Sequence, residues 1–232
     1  MKIVLTNDDG IQADGLEALE RSVRQVFAEA EVWVVAPDRP RSQCSHAVTT
    51  DQPLGVENHG HRRVSVTGFP ADCIRVALFG LGIEPDWVFS GINHGGNMGQ
   101  DIVFSGTAAA AREAAYHGVP ACAVSQFFNS DGFKWDQAAD RTAAALSDIS
   151  SRDRGDAFWN VNLPLPDGGD NSCDLVHCAP ARAPLPAEFE KDTNGEEPLF
   201  HYRGVYQSRK SEPGTDVDVC FGGGISISRI LV

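Results

Sequence analysis

The sequence is short of basic residues and has no long apolar run. A transmembrane helix needs about 20 consecutive apolar residues, and no stretch here approaches that length. Only 19 residues are Lys or Arg, against 32 that are Asp or Glu, so the formal net charge is −13. This charge would repel both nucleic acid and an anionic membrane surface. We therefore expect neither a nucleic-acid polymer nor a membrane as a partner.

Paired cysteines are also missing. The six cysteines include no CxxC pair and no cluster with the spacing of zinc ligands. In a chain of 232 residues they are expected to be reduced structural thiols rather than a disulfide framework. The opening MKIVLTNDDG lacks the basic and long apolar regions of a signal peptide. These features together predict a cytoplasmic protein.

The first predicted strand is not followed by the GxGxxG motif of dinucleotide-binding proteins. It leads instead into Asn-Asp-Asp-Gly at residues 7–10. Two adjacent carboxylates at this point would repel a pyrophosphate group, which the motif normally binds through glycine amides. The sequence therefore disfavours a dinucleotide-dependent oxidoreductase.

Strand-like and helical segments alternate through the first 150 residues. Strands are predicted at 3–6, 32–36, 64–67, 87–90, 122–125 and 158–162, and helices at 16–28, 74–79, 107–116 and 135–149. Short connections between them favour right-handed βαβ units. The expected fold class is therefore α/β, with a mostly parallel sheet covered by helices on both faces.

The last third of the chain is richer in Pro, Gly and Asp. We predict a core at residues 1–162 and a loop-rich C-terminal arm or subdomain at residues 163–232. Within the arm, strand-like pieces occur at 175–178, 202–206 and 225–227, and the final strand is expected to return to the core. We expect the arm to form contacts between subunits.

Polar side chains follow several predicted strands. Asp8 and Asp9 come directly after the first strand, Ser42 follows the second by a few residues, and Asn93 and Asn97 follow the fourth. In open parallel sheets, ligands bind beyond the carboxyl ends of the strands. Separate loops are therefore expected to deliver carboxylates, a hydroxyl and carboxamides to one edge of the sheet.

This collection of oxygen donors predicts a metal site. Adjacent carboxylates such as Asp8 and Asp9 raise each other's pKa unless a positive group joins them. Asp, Asn and Ser oxygens suit Mg²⁺ or Mn²⁺. The alternative is that residues 7–10 form only a turn with polar capping groups. The joint appearance of these donors at several strand ends favours the metal site.

A second element precedes the Ala-rich helix. Ser105, Gly106 and Thr107 are small residues at a predicted helix N-terminus, where backbone N–H groups and the helix dipole favour an anion such as phosphate. An ordinary Ser or Thr N-cap is the alternative interpretation. The glycine-rich stretch at 95–99 would let the backbone approach a ligand closely.

These motifs, taken in order, resemble the SurE family of 5′-nucleotidases. The resemblance covers roughly the first 125 residues, with weaker similarity in NVNLP at 160–164 and TDVDVCFGGGISIS at 215–228. The motifs that carry it are IVLTNDDGIQADGL at 3–16, VVAPDRPRSQCSHAVT at 34–49, TGFPADCIRVAL at 67–78 and SGINHGGNMGQDIVFSGTAAAAREAA at 90–115.

The resemblance implies a Rossmann-like three-layer fold whose C-terminal extension forms homodimers or homotetramers. It implies hydrolysis of nucleoside 5′-monophosphates to nucleoside and phosphate, with one Mg²⁺ or Mn²⁺ per subunit. Some family members also cleave other phosphomonoesters or short polyphosphates. The implied metal ligands are Asp8, Asp9, Ser42 and Asn93. The implied phosphate-binding residues are Asn97, Ser105, Gly106 and Thr107, and Asp8, Asp9 and Asn97 are the implied catalytic residues.

Some positions leave alternatives open. Phe69 and Gly96 depart from the family pattern, which usually has a small Thr and a Pro there, and residues 165–214 match nothing in it. His94 is either a general acid or a solvent-facing loop histidine. Either aspartate could instead act as a nucleophile. A further alternative is a non-catalytic, metal-dependent module that binds nucleotide or phosphate.

Overall fold

The computed structural model describes residues 1–128, 132–153, 155–165, 173–193, 195 and 197–232. The strands are β1 (Lys2–Thr6), β2 (Glu31–Pro37), β3 (Val56–Asn58), β4 (Arg63–Val66), β5 (Trp87–His94), β6 (Ala121–Gln126), β7 (Ala157–Leu163), β8 (Leu175–His177), β9 (Phe189–Asp192), β10 (Leu199–Tyr202) and β11 (Ile225–Leu231). The helices are α1 (Asp14–Val26), α2 (Pro70–Arg75), α3 (Asp101–Phe104), α4 (Gly106–Tyr116), α5 (Trp135–Ser150) and α6 (Asp216–Phe221).

Nine strands form one mixed sheet in the order β3-β4-β2-β1-β5-β6-β7-β11-β8. Neighbouring strands are parallel except that β3 runs antiparallel to β4 and β11 runs antiparallel to β7. Strands β9 and β10 form a separate antiparallel hairpin. The predicted α/β fold with a mostly parallel sheet is therefore confirmed.

Each face of the sheet is covered by a helical layer. Along β1, Ile3 and Leu5 belong to the apolar cluster that includes α1 and α5, whereas Val4 belongs to the cluster that includes α2 and α4. This alternation follows from the two-residue period of a strand. In α1, Leu16, Leu19 and Val23 recur at helical spacing and are fully buried. The sheet is therefore the middle of three layers.

Strand β5 is longer than predicted. Pairing with β6 resumes after an irregularity, so that Asn93 is opposite Ser125 and His94 is opposite Gln126. The sequence predicted this strand to end at residue 90, because the glycine that follows normally weakens a strand. Asn93 and His94 are therefore the last residues of a strand rather than part of the loop after it.

The region after residue 162 contributes to the main sheet as well as to loops. β11 pairs with β7 from Leu231 opposite Ala157 to Ser226 opposite Asn162, and it pairs with β8 on its other side. The boundary at residue 162 stays a prediction, and residues 166–172, 194 and 196 of the predicted arm lie outside the described residues.

The predicted strand at residues 202–206 is wrong beyond its first residue. β10 ends at Tyr202, and a 3-10 turn begins at Tyr206. The physical reason is that the Tyr206 hydroxyl donates a hydrogen bond to Asp101, 2.6 Å away, which holds this segment against the start of α3 and away from the hairpin.

Candidate active site

The predicted site residues converge on one cavity of about 780 Å³. Its walls include all four predicted metal ligands, together with Asn97 and Ser105, whereas Gly106 and Thr107 are not part of its lining. The four predicted ligands are Asp8, Asp9, Ser42 and Asn93. Two loops and the end of β5, which are distant in sequence, therefore meet at one place, as expected for the carboxyl edge of an open sheet.

The Asp8 carboxylate is buried at the start of the loop after β1, with 5% of the residue exposed. Its Oδ1 accepts a hydrogen bond from the Thr107 hydroxyl at 2.7 Å. Burial, together with the charge of Asp9, raises the pKa of Asp8 to about 6. A carboxylate in this environment is stabilised in its charged form by an added cation.

Gly106 permits the close approach between α4 and Asp8. A Cβ atom at position 106 would lie 2.9 Å from Asp8 Oδ2 and 2.7 Å from the Cys44 sulfur. A side chain there would displace the carboxylate or the loop that contains Cys44. Gly106 therefore shapes the Asp8 environment by its small size.

Asp9 is fixed by the end of β5. Its Oδ2 accepts a hydrogen bond from the His94 main-chain N–H at 3.1 Å. Burial raises the pKa of this carboxyl, and His94 partly opposes that effect. The second carboxylate of the pair is therefore also held where its negative charge is disfavoured.

Ser42 comes close to these carboxylates through its own loop. The neighbouring Arg41 donates its main-chain N–H to the Asp8 carbonyl oxygen at 2.7 Å. The Arg41 guanidinium pairs with Asp38 at 3.1 Å and lies 5.6 Å from the centre of the Phe69 ring. Phe69, which departs from the family pattern, does not line the described cavity; its ring lies beside Arg41 of the Ser42 loop instead.

His94 packs in an aromatic cluster. The centre of its imidazole ring lies 4.9 Å from that of Phe133 and 4.8 Å from that of Trp135, and those two rings stack on each other. The residue also lines the cavity. His94 therefore lies beside Asp9 at the cavity, and its role as a general acid stays a prediction.

Asn97 is held in a buried polar cradle made by β6 and β7. Its main-chain N–H donates to Asn162 Oδ1 at 2.7 Å, and its carbonyl accepts from Asn160 at 2.8 Å and from Asn162 at 3.1 Å. Its carboxamide nitrogen donates to the Ser125 hydroxyl at 2.8 Å. Backbone and side chain are thus both fixed, which preorganises Asn97 toward the cavity.

Ser105 and Thr107, at the start of α4, have different roles. The Ser105 hydroxyl accepts the Ala108 N–H at 2.9 Å and so caps the helix, while Ser105 also lines the cavity. Thr107 is fully buried and its hydroxyl is engaged with Asp8. Its side chain therefore orients a candidate metal ligand, whereas the sequence placed it with the phosphate-binding groups.

The donor set fits one hard divalent cation. Two carboxylates, a hydroxyl and a carboxamide line the same cavity, and oxygen ligands of this kind suit Mg²⁺ or Mn²⁺. Neither Asp8 nor Asp9 forms an ion pair with a basic side chain of the described residues. In that same part of the chain, no group of three or more His, Cys, Asp or Glu side chains could hold a metal, so such a site would depend on Ser42 and Asn93 as well.

Comparison with known proteins identifies the family. The family model described as "Survival protein SurE" matches residues 3–182. The chain belongs to the SurE family. A Synechocystis protein is 43% identical over 234 residues, covering 100% of both chains. The protein named 5′-nucleotidase SurE from Stenotrophomonas maltophilia is 37% identical over 236 residues, covering 100% of this chain and 90% of that one.

The fold of the SurE family is also the fold found here. The crystal structure of SurE protein from Aquifex aeolicus matches with a TM-score of 0.88 at 26% identity, covering 100% of this chain and 93% of that chain. Among the described residues, no helix is long and apolar enough to cross a membrane.

Sequence reasoning missed the residues that support the site. Asn160 and Asn162 alternate with apolar residues on β7, so both side chains point to the same face of the sheet. This pair of carboxamides inside an apolar strand was the available signal. No sequence signal pointed to Asp101, because its partners Tyr206 and Arg209 come from the region where the sequence showed no clear helical or strand period.

Proposed function

We propose that this SurE-family chain is a metal-dependent phosphomonoesterase that hydrolyses nucleoside 5′-monophosphates to nucleoside and phosphate. The observation that carries the proposal is the convergence of Asp8, Asp9, Ser42 and Asn93 on one cavity beside Asn97. Relatives named 5′-nucleotidase SurE support the same activity.

The proposed cofactor is one Mg²⁺ or Mn²⁺ per subunit, held by Asp8, Asp9, Ser42 and Asn93. When bound, it would neutralise charge on the phosphoryl group and lower the pKa of a water ligand. The chain contributes the positioning of these groups: Thr107 fixes Asp8, and the His94 main chain fixes Asp9. The two carboxylates are therefore preorganised before substrate arrives.

The phosphate group is proposed to bind between Asn97 and the N-terminus of α4. Both Asn97 and Ser105 line the cavity. A helix N-terminus favours an anion, because its first N–H groups lack carbonyl partners within the helix and the dipole is positive there. Donors fixed in advance of the reaction stabilise the charge that develops on the phosphoryl oxygens.

The test is phosphate release from nucleoside 5′-monophosphates in the presence of EDTA, Mg²⁺ or Mn²⁺. The proposal predicts release that requires metal and that Asp9→Asn abolishes, while Asp136→Asn, a change at an exposed carboxylate on α5, leaves it intact. Near-normal activity of Asp9→Asn at low metal would refute the ligand assignment. Saturable nucleotide binding without any release would favour the non-catalytic binding module.

Assembly into a homodimer or homotetramer is also proposed. The β9–β10 hairpin exposes apolar side chains at Phe189, Leu199 and Phe200, and exposed apolar groups of this kind often mark contacts between proteins. Light scattering after size-exclusion chromatography measures the subunit number directly. A mass equal to one chain, 24.9 kDa, across the working concentrations would refute this assembly.

A further inference from the structure

The cavity has a second set of lining residues that the metal and phosphate do not use. The C-terminal region supplies most of this set, which we call the apolar wall, and the end of α3 supplies one ring. The wall consists of Phe104, Leu185, Pro186, Ala187, Tyr202 and Tyr206. At about 780 Å³, the cavity falls in the range of pockets that take whole small molecules, about 300–1,000 Å³.

Two rings of the wall remain open to solvent. Phe104 is 42% exposed and Tyr202 is 54% exposed. The Tyr202 hydroxyl already donates to the Pro186 carbonyl oxygen at 2.6 Å, so what this residue offers a ligand is mainly its ring. Surfaces of this kind bind flat, apolar groups by stacking.

Two short hydrogen bonds join the wall to the segment that directly follows Asn97. The Leu185 N–H donates to Gln100 Oε1 at 2.7 Å, and the Tyr206 hydroxyl donates to Asp101 at 2.6 Å. Gln100 follows Asn97 in the same loop, and Asp101 directly after it is the first residue of α3. The wall is therefore hydrogen-bonded to residues that lie within four positions of Asn97, the proposed phosphate-binding residue.

The charge of the cavity lining favours a neutral ligand group at the apolar wall over a second phosphate. Of the described residues that line this cavity, none is Lys or Arg, and Asp8, Asp9 and Asp101 are acidic. A cation at Asp8 and Asp9 could receive one phosphate, but a second phosphate directed at the wall would meet no described basic side chain. A neutral, planar group suits the wall better.

We propose that the apolar wall binds the nucleobase of the substrate, with Tyr202 and Phe104 as specificity-determining residues. This inference rests on the proposed function and adds its substrate selectivity. Stacking on aromatic side chains is tolerant of base identity, so the wall accepts both purines and pyrimidines. It favours phosphomonoesters with an aromatic base over those without one, and over short polyphosphates.

The decisive comparison uses adenosine 5′-monophosphate and ribose 5-phosphate, which share the sugar and phosphate but differ in the base. For the unmodified protein, kcat/KM is expected to be higher with the nucleotide. Tyr202→Ala should lower kcat/KM for the nucleotide by roughly 5- to 100-fold, the range that loss of one stacking contact gives. It should leave ribose 5-phosphate within about twofold.

Two control variants separate stacking from folding. Tyr202→Phe keeps the ring and loses only the bond to Pro186, so its preference for the nucleotide should persist. Phe79→Ala removes a ring that is even more exposed, at 69%, and that is not part of the cavity lining. This variant should leave kcat/KM unchanged for both substrates. Equal loss on both substrates in Tyr202→Ala, or no loss on either, would overturn the inference.

A binding assay distinguishes failure of the proposed catalytic function from failure of the proposed base-binding wall. If the unmodified protein released phosphate from neither substrate, calorimetric binding of adenosine would still test the wall. Weaker adenosine binding by Tyr202→Ala and Phe104→Ala, with normal binding by Phe79→Ala, would then support the wall without catalysis. Unchanged adenosine binding in all three variants would refute it.

Discussion

Arg209 and Asp101 form an ion pair of 2.6 Å whose side chains are 2% and 10% exposed, although the residues are 108 positions apart. Asp101 Oδ2 also accepts the Tyr206 hydroxyl at 2.6 Å and the Met98 N–H at 3.1 Å. The second guanidinium nitrogen of Arg209 donates to the Met98 carbonyl at 3.0 Å. The loop that begins at Asn97 is thus anchored to the C-terminal region.

Removing Arg209 should destabilise the protein strongly. Arg209→Met would leave the Asp101 carboxylate buried without its cation, which costs about 3–5 kcal/mol when a buried pair is broken. Urea unfolding measures this change. The double variant Arg209→Met with Asp101→Asn removes the stranded charge and should recover part of the loss. A single variant as stable as the unmodified protein would mean that the pair contributes nothing.

Removing the Asn162 side chain should reduce turnover through Asn97. Asn162→Ala deprives the Asn97 N–H of its acceptor at 2.7 Å, so the loop that positions Asn97 relaxes. We expect kcat to fall roughly 10- to 100-fold with little change in KM, because the interaction matters most in the transition state. Steady-state kinetics measures both constants.

The control for Asn162 is a double-mutant cycle with Asn97→Ala. If Asn162 acts through Asn97, the two losses of kcat do not add, and the double variant resembles Asn97→Ala alone. Fully additive losses would show that Asn162 affects turnover by another route, such as general destabilisation of β7.

Asp8→Asn should stabilise the metal-free protein while abolishing its activity. Because the pKa of Asp8 is raised to about 6 from 3.8, the favourable contribution of this carboxyl is fully present below pH 3.8 and is lost as pH rises through 6. In EDTA, the variant should therefore melt at a higher temperature at pH 8 and show little gain near pH 4. A lower melting temperature at pH 8 would contradict this account.

Glu113 should give stability that is lost in acid. Burial alone would raise its pKa, but hydrogen bonds from His46, Arg75 and His117 lower it to about 2 from 4.5. A lowered pKa means that stability is present above pH 4.5 and falls as pH drops toward 2. The melting temperature of Glu113→Gln should therefore decline less between these pH values. If the melting temperatures of the variant and of the unmodified protein fell equally with pH, Glu113 would not be the source of this acid sensitivity.

The positions of the candidate metal ligands could be predicted because strand ends are local features of sequence. Asp8 and Asp9 follow an apolar run, and Asn93 follows another, so topology alone brings them together. The link from Thr107 to Asp8 could not be predicted, because it depends on how closely α4 packs on the loop after β1. That distance is set by tertiary packing around Gly106.

The apolar wall could not be predicted for a different reason. All of its residues except Phe104 lie in a segment rich in Pro and Gly, where neither a two-residue nor a 3.6-residue period is present. The hydrogen bonds of Leu185 to Gln100 and of Tyr206 to Asp101 determine where this segment lies. Such contacts between distant residues leave no mark on the local pattern.

The anchoring of the Asn97 loop has a consequence for synthesis of the chain on the ribosome. A nascent chain that has reached residue 200 already contains every candidate metal ligand. It still lacks Arg209 and Asp216, and the Asp216 carboxylate accepts the Gly99 N–H at 2.8 Å. The loop gains both anchors only after residue 216 has been translated, which is more than nine tenths of the way along this sequence. We therefore expect competence for turnover to appear late in translation, after most of the sheet can already have formed.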